Sequence, residues 1–208
     1  MSQNEVNNIS RMPKAKFGAV LGISLGDVPA YSSKYSFMVL FALCYQGWKN
    51  YHEGIFTGIK WQCVEFARRW LLVNKEYTFA DIPMAYNIMD LNEVIIQIGD
   101  RKGKSLPLWS CKNGGRVQPE AGSMLIWDKS YGGTGHVAIV TEVTPTHVRV
   151  AEQNFDNRVW PAGANYSRQL RATLSDDGAY TVNDTYLVLG WMLQRDTNPN
   201  LQTARPDA

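Results

Sequence analysis

Residues 135–154 read GHVAIVTEVTPTHVRVAEQN. Val137–Val143 and Val148–Ala151 are rich in β-branched residues and flank Thr144–Pro145–Thr146, a pattern that predicts a β-hairpin. In an antiparallel ribbon the start of the first strand lies beside the end of the second. His136 and Glu152 each stand eight positions from Thr144, so the hairpin makes them neighbours. Asn154 has the parity of Glu152, which places it on the same face. Singly, His136 reads as a turn residue and Glu152 as a surface strand residue; the hairpin makes them a pair. Gly132–Gly133–Thr134–Gly135 reads as a loop that lets His136 be aimed, with the preceding glycine leaving room for a substrate.

Outward from the hairpin, Ser123–Trp127 (SMLIW) and Tyr186–Leu193 (YLVLGWML) read as further strands, the latter with a bulge at Gly190. Gly114–Gly115 marks another loop. The first half reads mainly helical. Trp61–Asn74 (WQCVEFARRWLLVN) carries Val64, Ala67, Leu71, Phe66 and Trp70 at helical spacing, and Met84–Val94 reads as a second helix opened near Pro83. Helices followed by strands predict an α+β fold with N-terminal helices packed on an antiparallel β-sheet. Met1–Lys16 and Asp196–Ala208 are polar, so the chain divides into a tail over 1–16, a folded unit over 17–195 and a second tail over 196–208.

The composition narrows the function. Among 208 residues, 45% are hydrophobic and 19% charged, as in an ordinary globular chain, and the net charge of +2 argues against a nucleic-acid or anionic-membrane binder. The N-terminus has no apolar core of a secretory signal. Phe37–Tyr45 (FMVLFALCY) falls short of the roughly 20 residues that span a bilayer. Cys44, Cys63 and Cys111 form no CxxC, so neither a metal site nor a disulfide framework is expected, and free thiols suit the cytoplasm.

Chemistry centres on the thiols. A reactive cysteine needs a lowered pKa, and Cys63 lies two residues into the predicted Trp61–Asn74 helix, where backbone N–H groups and the helix dipole favour an anion. Alone, such a cysteine reads as an ordinary small core residue. His52 and His147 sit in polar stretches and read as solvated, which leaves His136 as the base and Glu152 as its orienting acceptor.

Lys60–Arg69 (KWQCVEFARR), Gly135–Val140 (GHVAIV), Ala151–Asn154 (AEQN) and Leu189–Met192 (LGWM) resemble, in this order, the CHAP family of cysteine, histidine-dependent amidohydrolases and peptidases, and within it the glutathionylspermidine amidase branch. The resemblance runs from about Phe17 to Arg195 and implies a papain-like α+β fold. It implies Cys63 as nucleophile, His136 as general base and acid, Glu152 as its orienter and Asn154 as a polar fourth member. The backbone N–H of Cys63 and the side chain of Gln62 become oxyanion donors. Arg68 is a candidate for a substrate carboxylate, against a structural ion pair with Glu65 or another acid. The implied substrate is a glutathione–polyamine conjugate, with no cofactor. A peptidoglycan amidase or endopeptidase is the alternative within the family, and a non-enzymatic module keeping the fold is a third. Members of the branch carry a ligase domain after the amidase. That domain is absent from this chain and is an implied partner, and synthesis is not expected here. The apolar run Phe37–Tyr45 departs from the more polar stretch expected before the catalytic helix.

Overall fold

The computed structural model describes residues 13–34 and 48–201; Cys44 and the run Phe37–Tyr45 lie outside them. Two short hairpins come first: β1 (Val20–Ile23) with β2 (Pro29–Tyr31), and β3 (Lys49–His52) with β4 (Ile55–Ile59). Helix α1 (Cys63–Lys75) follows. Among the described residues that follow, a nine-stranded antiparallel sheet is built from β5 (Tyr77–Thr78), β6 (Glu93–Ile96), β7 (Ser105–Lys112), β8 (Met124–Trp127), β9 (His136–Val143), β10 (His147–Ala151), β11 (Arg168–Leu174), β12 (Tyr180–Asn183) and β13 (Val188–Gln194). Its order is β12-β11-β10-β9-β8-β13-β7-β6-β5. The last of the described strands therefore lies in the interior of the sheet, between β8 and β7.

This is the expected mixed α+β architecture, a helix packed on a large antiparallel sheet. The apolar runs in β8 and β9 arise because these strands are buried on both faces. Met124, Ile126, Val137 and Ile139 join Phe66, Ala67, Trp70 and Leu71 of α1 in one core. Leu125, Trp127, Ala138 and Val140 join Leu170, Tyr180 and Trp191 in a second. Each fully buried large side chain contributes about 1.5–3 kcal/mol, so the helix is held by its apolar face. It ends where Glu76 takes a left-handed conformation and its N–H closes onto the Leu72 carbonyl. Gly190 forms the expected bulge: the register with β8 shifts there, and a Cβ would lie 2.0 Å from the Cys111 carbonyl oxygen.

Several expectations are corrected. The first half is not mainly helical: among the described residues its one α-helix is α1, and β1–β4 precede it. Met84–Val94 is not one helix. A 3-10 turn spans Ala85–Asp90, Leu91 is extended, and the β-branched Val94–Ile95–Ile96 enters β6. Helix α1 begins at Cys63 rather than Trp61, because Gln62 is extended at φ −79°, ψ 160°. Part of the expected N-terminal tail is anchored: the Ala15 N–H donates to the Asn157 carbonyl at 2.7 Å.

Candidate active site

Cys63 opens α1 and is 7% exposed. Burial alone would raise its pKa. The charge and hydrogen bond of His136, with the backbone N–H groups of Val137 and Val64, outweigh that and hold the thiol below its ordinary value. His136 opens β9 and is 1% exposed. Its Nε2 meets Glu152 Oε2 at 2.8 Å, which leaves Nδ1 as the nitrogen that faces the thiol. Burial lowers the imidazole pKa, but Cys63 and Glu152 together raise it to about 9. Thiolate and imidazolium thus stabilise each other as a pair. Tyr131 stacks on the ring at 4.6 Å and 21°, with Trp127 and Phe155 beside it.

The hairpin brings His136 and Glu152 together, though not in the symmetric register expected. A shift between Arg149 and Val150 sets Ala151 opposite Ile139, so continuing the pairing puts Glu152 opposite Ala138. Glu152 meets His136 diagonally, two positions along the same face, within reach of a long side chain. The glycine before His136 does not make room for a substrate. At Gly135, φ is 71°, and a Cβ would lie 2.7 Å from the Trp127 carbonyl oxygen and 2.9 Å from the Tyr86 nitrogen. That space is filled by protein, and the fit fixes the start of β9.

Asn154 does not share the His136 face. The strand ends at Ala151 and Asn154 is left-handed at φ 57°, which breaks the parity. Its Nδ2 donates to Gln62 Oε1 at 2.6 Å, and its Oδ1 accepts from Ser33 at 2.5 Å. Asn154 thereby orients the Gln62 amide beside Cys63. Arg68 is buried, and of the two readings the ion pair is the one seen, though with Asp81 at 3.3 Å rather than Glu65. Its Nη2 donates to the Phe56 carbonyl, and its Nε has no hydrogen-bond partner among the described residues. Glu65 pairs instead with Arg69 at 2.7 Å. His147 is half-buried in the hairpin turn, bonded to Thr144 and Glu142 rather than free in solvent, and His52 lies half-buried in β3.

The sequence reading missed the residues behind Glu152. Ser167 and Arg168 donate to its Oε1 at 2.8 and 2.7 Å, and Arg168 also bonds Asp184 at 2.8 Å. Burial would raise the Glu152 pKa, but Arg168 first and then His136 lower it to about 2. The alternating Leu170 and Ala172 of β11 were a readable strand signal; the pairing that brings Arg168 to Glu152 was not.

A groove of about 400 Å³ opens at Cys63, lined among others by Phe56, Gln62, Asp81, Met84 and Thr134. A buried thiolate beside an imidazolium, with a helix N-terminus and an oriented amide at hand, can attack a carbonyl and stabilise the resulting oxyanion. Among the described residues, no cluster of His, Cys, Asp or Glu is placed to hold a metal, and no helix is long and apolar enough to cross a membrane.

Residues 54–154 match the CHAP domain model. The chain belongs to the CHAP family. It is 40% identical over 190 residues to the bifunctional glutathionylspermidine synthetase/amidase of Escherichia coli K12, covering 88% of this chain and 30% of that protein. It is 33% identical over 193 residues to the trypanothione synthetase of Crithidia fasciculata, covering 89% and 27% respectively. The glutathionylspermidine synthase of the same organism is 32% identical over 136 residues, covering 65% and 19%. This CHAP protein thus spans about 30% of the length of the first of these relatives and less of the others.

Proposed function

We propose that this CHAP protein is a thiol amidase that hydrolyses glutathionylspermidine to glutathione and spermidine. The carrying observation is the buried Cys63–His136–Glu152 chain at the start of α1, with the thiol held below its ordinary pKa. The substrate class is supported by relatives named for glutathionylspermidine and trypanothione chemistry. The Cys63 thiolate attacks the glycyl carbonyl, and the oxyanion is met by the Cys63 N–H and the Gln62 amide that Asn154 orients. The C–N bond breaks as His136 gives its proton to the leaving amine of spermidine. His136 then takes a proton from water, which attacks the thioester, and glutathione leaves as the thiolate re-forms. Glu152 keeps the imidazole aligned throughout. Arg68 reaches the groove through Asp81, 73% exposed, which a substrate carboxylate would displace. The unit that performs this spans residues 17–195, and we place it in the cytoplasm, where a reducing thiol pool keeps Cys63 free.

Mass-spectrometric hydrolysis tests the reading. Glutathionylspermidine should be cleaved, glutathione amides lacking the polyamine cleaved more slowly, and muropeptides not at all. Muropeptide cleavage matching that of glutathionylspermidine would overturn the substrate assignment in favour of peptidoglycan hydrolysis.

A further inference from the structure

We propose that Arg168 is a positioning residue of this site: anchored at one end by Asp184, its guanidinium holds the Glu152 carboxylate charged and aimed at His136. The inference rests on reading Cys63, His136 and Glu152 as the reacting unit, and goes beyond it. Arg168 opens β11 opposite Val150, so the strand pairing delivers its side chain to Glu152, two residues further along. Its Nε donates to Oε1 at 2.7 Å and its Nη2 to Oε2 at 3.4 Å, a fork that fixes the plane of the carboxylate. The remaining arm, Nη1, donates at 2.8 Å to Asp184 Oδ2, which also accepts from the Trp127 indole at 2.9 Å. The guanidinium lies 3.9 Å over the Phe155 ring and 5.2 Å from that of Trp127. Rings on β8 and on the connection after β10, with a second carboxylate, therefore leave it little freedom to turn.

The arrangement answers an electrostatic problem. A carboxylate with a 1% exposed side chain is driven towards its neutral form by desolvation. Neutral Glu152 would no longer hold the imidazolium, and the imidazolium would no longer hold the thiolate. Arg168 removes that difficulty without touching the groove, and it produces an alternating chain: Asp184 negative, Arg168 positive, Glu152 negative, His136 positive, Cys63 negative. The other titratable groups facing the chain are Tyr131 ahead of β9, Tyr186 ahead of β13, and Asp156 and Arg158 after Phe155. Burial and the Glu152 charge push Tyr131 up, so it stays neutral, and Asp156 and Arg158 pair with each other. Loss of the Arg168 charge acts in one direction. Glu152 becomes easier to protonate, the site becomes less positive, and the Cys63 thiolate is disfavoured.

The test is the pH dependence of Cys63 alkylation by iodoacetamide, followed by peptide mapping, alongside kcat and KM for glutathionylspermidine. Arg168→Gln should move the acid limb of alkylation up by about one pH unit or more and lower kcat about 10- to 100-fold, with KM little changed. Arg168→Lys, which keeps the charge and loses the fork, should lie between. Acid limbs that superimpose on that of the unaltered protein would overturn the proposal, even where thermal stability falls. An effect confined to KM would do the same. If Arg168→Gln does not fold, Arg168→Lys decides by the same criterion. Alkylation reads the thiolate without any substrate, so failure of the unaltered protein to cleave glutathionylspermidine would remove the substrate reading and leave this test standing.

Discussion

Glu152 and Glu65 are both carboxylates with almost no exposure, and both are gripped by the fork of an arginine. Around Glu65 the partners are Arg69, Gln153, Asn50 and Thr57, from α1, the segment after β10, and the β3–β4 hairpin. Gln153 passes the connection on to the Tyr31 N–H and the Gln62 carbonyl, so the cluster ties four segments together. Its charges are matched within itself, and none of these partners is an imidazole or a thiol. Around Glu152 the pattern is the same with one replacement: an imidazole stands among the partners, and behind it a thiol. Similar carboxylate–guanidinium hardware therefore braces packed segments in one place and stands behind an imidazole and a thiol in the other, the chain proposed to transfer protons. The difference lies in whether the cluster ends on a group that titrates.

Four experiments probe that contrast, from the largest effect downward. Cys63→Ala should cost about 10⁴-fold or more in hydrolysis, with the thermal midpoint nearly unchanged, since the thiol contributes little packing; retained turnover in a folded variant ends the nucleophile assignment. Glu65→Ala should do the reverse. By stranding Arg69 it should cost about 3–5 kcal/mol in denaturant unfolding, while the folded fraction keeps most of its kcat. A large kcat loss at unchanged stability would erase the distinction between the clusters.

Glu152→Gln should lower kcat about 10- to 100-fold, less than His136→Ala, because Glu152 orients whereas His136 transfers protons in both half-reactions. It also carries a stability signature. Because the folded Glu152 pKa is depressed to about 2, its contribution is complete above the ordinary value of 4.5 and is lost as pH falls from there towards 2. The unaltered protein should lose that increment of stability between pH 4.5 and 2, and Glu152→Gln should not; equal slopes in acid titrations monitored by circular dichroism would refute it. The smallest effect is expected at Cys111. Burial raises its thiol to about 11, so limited iodoacetamide should label Cys63 first, and Cys111→Ala should stay fully active at a cost of about 1 kcal/mol.

The His136–Glu152 contact and the place of Cys63 at a helix start were legible in the sequence because they depend on local order: a cysteine ahead of a helical apolar pattern, and a histidine and a glutamate at the open end of one hairpin. What escaped was set by tertiary geometry. The bulge that shifts the β9–β10 register leaves no mark in VTEVTPTHVRV. Arg168 is separated from Glu152 by a connection without regular alternation, so its approach depends on the β10–β11 register. Met84–Val94 misled because Pro83 suits a helix start, whereas Met84 is extended and Ala85–Asp90 makes only a 3-10 turn before the extended Leu91. The alternation expected to carry Asn154 onto the face of Glu152 failed because the strand had already ended.

The placement of β13 has a consequence for biosynthesis. Strands β7 and β8 are neighbours in the chain but not in the sheet, because β13 is the strand that joins them. On the ribosome, β8 and β9 can pair early, yet the nine-stranded sheet stays in two pieces until Gln194 has emerged. Long-range pairings of this kind form late in folding. His136 and Cys63 are synthesised well before the platform they share is complete, so the nascent thiol is expected to keep an ordinary, weakly reactive state until Val188–Gln194 is in place. A chain ending before Val188 should accordingly show a Cys63 alkylation rate no faster than that of a free cysteine.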